Sequence, residues 1–100
     1  MQYEVEEYQT ATGKKPFSEW LSGVSDKRAQ AKLLARINRA SLGNFGDWKA
    51  LKDTRGLCEM REHYGPGFRI YYKIKPQNIR TFYDGTVQIC HSEQREESAD

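Results

Sequence analysis

One hundred residues make one domain with a modest core, and a composition of 37% hydrophobic and 30% charged residues suits a folded soluble unit. No apolar run approaches a membrane span, and the opening MQYEVEEY is acidic and alternating, unlike a signal or transit peptide, so a cytoplasmic protein is expected. The net charge of +2 hides a segregation: residues 1–13 carry −3, residues 14–80 carry +9 and residues 81–100 carry −4. A middle block this basic is the footprint of an anionic partner, nucleic acid first, or else a set of solvated Lys and Arg on helix faces.

In chain order, Tyr3, Val5 and Glu7 alternate with Glu4, Glu6 and Tyr8, which predicts a short edge strand whose acids discourage further pairing. Thr10–Gly13 is a turn. Lys15-Pro16-Phe17 starts a helix with proline in its first turn. Phe17, Trp20, Leu21 and Val24 form its apolar stripe, and Gly23 ends it. Ser25 is expected to cap a longer helix running to about Leu42. Ala29, Leu33, Ile37 and Ala40 repeat on its inner face, with Lys27, Arg28, Lys32, Arg36 and Arg39 on its wet side. Gly43-Asn44-Phe45-Gly46-Asp47 then stops the helix with residues that tolerate a left-handed backbone.

Trp48–Lys52 reads as a short strand, and Asp53–Gly56 as the turn out of it. The stretch LCEMREHYGPGFRIYYKIK, Leu57–Lys75, reads as a hairpin. Pro66 is expected at the first central turn position and Gly67, at positive φ, at the second. Alternation puts Phe68, Ile70, Tyr72 and Ile74 on one face and Arg69, Tyr71, Lys73 and Lys75 on the other. With Cys58 and Met60 turned to the same core, Arg61, His63, Arg69, Tyr71 and Lys73 share one exposed surface suited to phosphate. Residues 79–83 and 86–90 read as further strands around the turn at Asp84-Gly85. The polar end HSEQREESAD reads as a disordered tail, giving a domain over residues 1–90 and a tail over 91–100. The fold class is therefore α+β: an N-terminal strand and two helices on one face of a twisted antiparallel sheet of about four strands.

Cys58 and Cys90 form no CxxC pair and define no disulfide framework, and His63 and His91 lack partners at metal-ligand spacing. Cys58 reads as a small buried apolar residue.

PFSEWL (16–21), ARINRASLGNFGD (35–47) and EMREHYGPGFRIYY (59–72) resemble the addiction-module killer proteins of the RelE/ParE superfamily, in particular the HigB-like branch. The resemblance spans about residues 3–80. It implies a RelE-like fold and the toxin half of a type II toxin–antitoxin system, an endoribonuclease that cuts mRNA on the ribosome. The implied partners are a cognate antitoxin, often of helix-turn-helix type, the ribosome and mRNA. Such cleavage uses the substrate's own 2′-hydroxyl, so the resemblance implies no cofactor or metal, and the protein must activate that hydroxyl, offset charge on phosphorus and protonate the leaving oxygen.

By the same resemblance, Arg69 is the hairpin arginine that would stabilise the transition-state phosphate, and Arg61 matches a basic catalytic position. Lys49, Lys52 and Arg55 would contact the RNA backbone, together with Lys73. Tyr71 would either stack on a base or lay its ring over the neighbouring strands. The competing reading for Arg69 is an ion pair with Glu59 or Glu62 inside the sheet. The chain departs from the family at its end, where IRTFYDGTVQICHSEQREESAD replaces the usual apolar strand, Gly-Gly-Asp-Lys-like loop and short helix. For that reason no general acid or base is assigned, and a nuclease attenuated by the altered C-terminus is the expectation. Two alternatives stay open: a ParE-like inhibitor of DNA gyrase, and a catalytically dead remnant that only binds antitoxin.

Overall fold

In the computed structural model of the chain, residues 2–76 and 85–94 are described. Their order is β1 (Tyr3–Glu7), α1 (Pro16–Ser22), α2 (Lys27–Ser41), β2 (Trp48–Ala50), β3 (Cys58–Glu62), β4 (Phe68–Pro76) and β5 (Gly85–Gln94). The fold is α+β, with both helices on one side of a five-stranded sheet ordered β1-β5-β4-β3-β2. The sheet is mixed rather than antiparallel. β1 pairs with β5 in parallel, Val5 opposite Val87, while β2, β3, β4 and β5 pair antiparallel in succession. β1 and β2 are the two edges. The strand expected at 79–83 lies outside the described residues, as do residues 95–100.

Strand alternation builds the core. Met60, Phe68, Ile70, Tyr72, Val87 and Ile89 point to the helices and meet Phe17, Ala29, Leu33 and Ala40. Leu33, Ile70 and Met60 are wholly buried, and each such side chain contributes about 1.5–3 kcal/mol of transfer free energy. Aromatic contacts tie the layers: Trp20 packs edge-on to Phe68, and Phe45 stacks on Tyr72 with ring centres 5.6 Å apart.

Several local expectations change. The cap of α2 is Asp26, not Ser25: its Oδ1 accepts from the backbone N–H of Arg28 (2.9 Å) and Ala29 (3.3 Å). Arg36 is buried at 6% exposure instead of lying on the wet side of α2. Three residues after Leu33 and four before Ala40, it falls on the inner stripe, and its charge is met by the Asp47 carbonyl, which accepts from Nη2 at 3.0 Å. The hairpin turn closes from Gly67 N–H to the Tyr64 carbonyl (3.0 Å), so Gly65 (φ 60) and Pro66 are its central pair. Gly67 keeps the expected positive φ of 89°, but just after the turn. Lastly, β5 continues through His91–Gln94, four residues that their polarity assigns to a tail. Pairing with β4, Glu93 opposite Arg69 and Gln94 opposite Phe68, overrides that composition.

Candidate functional site

The face of the sheet away from the helices carries the polar residues of β2 to β5. Because β3 and β4 are antiparallel, register decides which side chains meet across it: Arg61 stands opposite Arg69, and Glu59 opposite Tyr71. On the flanks, Lys49 of β2 stands opposite Glu59, and β5 sets Glu93 beside Arg69 and His91 beside Tyr71. Two like charges placed directly opposite would repel, and the sheet resolves this with carboxylates.

Glu59 is the centre of that arrangement. Its side chain is only 4% exposed, although it lies on the face that no helix covers. Arg61 Nε donates to Glu59 Oε1 at 3.0 Å, and Arg69 Nε lies 4.0 Å from Oε2. Arg61 also comes within 4.0 Å of Asp47, and Arg69 Nη1 within 3.9 Å of Glu93. Tyr71 donates its hydroxyl hydrogen to Glu93 Oε1 at 2.7 Å and stacks on the His91 ring, 6.0 Å between centres. Arg69 is thus ion-paired, as its competing reading held, with Glu59 as partner and Glu93 in place of Glu62. Its Nε is shielded from solvent yet makes no hydrogen bond. The two side chains keep about a third of their surface, 30% for Arg61 and 37% for Arg69.

Ionisation follows the contacts. Contact with the Tyr71 side chain, then the Glu59 and Glu93 charges, push Arg69 further up against the opposing effect of burial. Burial first, and then the bond to Glu93, raise the Tyr71 phenol, so it stays a hydrogen-bond donor. Asp47 is held below the usual carboxylate value, chiefly by its hydrogen bond with His63. That bond, Nε2 to Oδ2, is 2.7 Å long and ties His63 to the carboxylate that Arg61 also approaches.

The other expected RNA contacts separate from this cluster. Lys49 and Lys73 lie on the same face, one strand out from Glu59 and two residues beyond Tyr71. Lys52 and Arg55 sit on the β2–β3 loop, Arg55 at φ 57. Among the described residues, none of these four makes an ion pair. The face therefore has a compensated centre, Arg61 and Arg69, inside a rim of uncommitted cations.

Sequence reasoning offered Glu59 as a competing partner for Arg69 but missed Glu93 and His91 as members of the centre. Glu59 was visible in the Glu-x-Arg spacing, which places it on the face of Arg61. Glu93 and His91 carried no signal, since only the course of β5 brings them to Arg69 and Tyr71. Among the described residues, no group of three or more His, Cys, Asp or Glu side chains is placed to hold a metal ion. None of the described helices is long and apolar enough to cross a membrane.

Comparison with known proteins adds one relative. The chain is 47% identical over 57 residues to a Haemophilus influenzae protein described only as uncharacterized. The match covers 57% of this chain and 56% of that protein, so the chain spans little more than half the length of the relative it matches. No family model and no solved structure matches the chain.

Proposed function

We propose that the chain is a HigB-like toxin of the RelE/ParE superfamily, an endoribonuclease of a type II toxin–antitoxin system that acts in the cytoplasm on ribosome-bound mRNA. The observation that carries this reading is the Arg61–Arg69 pair, opposite each other on the uncovered face of the YGPGFRIYY hairpin. Two guanidinium forks held one strand apart suit a pentacovalent phosphate, whose equatorial oxygens gain charge in the transition state. The cations at 49, 52, 55 and 73 would guide the flanking backbone.

The chemistry needs a base and an acid, and β5 offers both. In the proposed step, the exposed Glu93 carboxylate takes the proton of the ribose 2′-hydroxyl as the oxygen bonds to phosphorus. The phosphorus–5′-oxygen bond breaks, and protonated His91 gives its proton to the departing oxygen, leaving a 2′,3′-cyclic phosphate. Glu59, nearly sealed from solvent, positions both guanidiniums instead of exchanging protons. A helix-turn-helix antitoxin with an acidic segment would neutralise this face.

In a translating extract, the wild-type chain is expected to cut message and leave cyclic-phosphate ends, with Arg69→Ala losing at least about a hundredfold in rate. Arg69→Lys, which keeps charge without the fork, is expected to fall between them. Intact message with wild-type protein refutes the nuclease reading, and inhibition of DNA supercoiling in its place would favour the gyrase alternative. One observation favours the antitoxin-binding remnant: carboxylates already compensate both arginines. Under that reading, Arg69→Ala leaves the effect on cell growth unchanged.

A further inference from the structure

Beyond the arginine pair, the same face holds a pocket of about 370 Å³ lined by Tyr8, Thr54, Leu57, Lys73, Gln88 and Cys90. Its size falls in the range of about 300–1,000 Å³ common to small-molecule sites. Arg69, Tyr71 and Lys73 form one row along β4, so Lys73 lies roughly 7 Å beyond Tyr71 and roughly 13 Å beyond Arg69 at strand spacing. The row from Arg69 past Tyr71 to Lys73 therefore leads from the arginine pair to the pocket.

Its walls divide by chemistry. Leu57, Cys90 and the Tyr8 ring are apolar, and Tyr8 is 43% exposed. The Thr54 hydroxyl is consumed by its own loop, donating to the Leu51 carbonyl at 2.6 Å. Gln88 is held at one end: its amide nitrogen donates to Glu6 Oε1 at 3.1 Å, and Lys75 neutralises that carboxylate at 2.6 Å. The carbonyl oxygen and second N–H of Gln88 are left to offer an acceptor and a donor side by side. That is the pair with which an amide reads a base edge, and an aromatic wall with a cation at the rim is what a single-stranded base stacks on.

Resting on the ribonuclease reading, we propose that this pocket receives one base of single-stranded RNA, its sugar–phosphate running past Lys73 toward Arg69. Tyr8 stacks on the base, Gln88 reads its edge, and Leu57 and Cys90 form the floor. Any codon preference of the protein would be set here, at Gln88, away from the arginines.

The test is amide NMR of the intact chain titrated with inorganic phosphate, ribose 5-phosphate and the four ribonucleoside monophosphates. The nucleotides should shift Leu57, Gln88 and Cys90, and the two base-free probes should not. Tyr8→Ala should weaken nucleotide binding about tenfold and Gln88→Ala about fivefold, with Tyr8→Phe close to wild type. Both residues lie at the pocket rim, and a retained spectrum will report that the variants fold. Nucleotide shifts no different from those of ribose 5-phosphate overturn the proposal. Cleaved message without base-dependent shifts defeats the pocket alone. Base-dependent shifts without cleaved message uphold the pocket and defeat the nuclease.

Discussion

The guanidinium of Arg36 fills the space that a side chain at position 46 would need: a Cβ built on Gly46 falls 2.7 Å from Arg36 Cζ. The same arginine donates to the Asp47 carbonyl, which also accepts the Arg61 backbone N–H at 2.9 Å. One buried charge on α2 thereby sets the loop that carries Asp47 to β3. Gly46→Ala is expected to destabilise the protein by about 2–4 kcal/mol, through backbone strain plus this collision. Gly65 supplies the control: it has the same φ of 60° with nothing within 4 Å of an added Cβ. Gly65→Ala should cost only the backbone part, about 1–2 kcal/mol. Urea midpoints that coincide for the two variants would deny Arg36 this role.

Glu59→Gln preserves shape and removes the charge that Arg61 and Arg69 share. Stability should fall by about 1–2 kcal/mol, less than for a fully buried pair because the arginines are a third exposed. Released guanidiniums should bind single-stranded RNA more tightly and with a steeper salt dependence. Filter binding across salt concentrations measures both, and an unchanged slope would mean that Glu59 does not restrain the pair.

Asp47 titrates below its ordinary value of 3.8, with the His63 hydrogen bond as the largest cause. A depressed carboxylate contributes stability that is complete above the unfolded value and is lost as pH falls through the folded one. His63→Ala should raise the Asp47 titration toward 3.8 and flatten the acid limb of the stability profile. Carbon-detected NMR of the Asp47 carboxyl group reads this directly.

Ser92 sits at 1% exposure on the core side of β5, opposite Ile70, and its hydroxyl has no hydrogen-bond partner. Burying an unmet hydroxyl is costly, so Ser92→Ala should be neutral or raise stability by up to about 1 kcal/mol. A lower melting temperature in the variant would show that the hydroxyl has found a partner.

What the sequence made legible was periodic. Alternation along Phe68–Lys75 put Arg69, Tyr71 and Lys73 on the outer face, and helical spacing found Leu33 and Ala40. What escaped depended on distant pairing. Nothing local announces that Tyr3–Glu7 joins β5 in parallel, or that polar His91–Gln94 extends a strand. Arg36 escaped because charge suggested solvent, whereas a carbonyl on a loop eleven residues away satisfies it. The shift between Tyr71 and Tyr72 is likewise a bulge that no alternation pattern reveals: it skips Cys90 and flips the parity of β5, so that His91 and Glu93 face outward and Ser92 inward.

The parallel ladder between β1 and β5 also has a temporal side. The first strand synthesised finds its backbone partner only when residues some eighty positions later are available, a closure that costs about 4 kcal/mol of chain entropy. During translation, Tyr3–Glu7 must wait with its amides unmatched until Gly85–Gln94 has left the ribosome. The strand that brings Glu93 and His91 to the arginines is the one that also completes the sheet, so the nascent chain acquires its charged face and its final shape in a single late event.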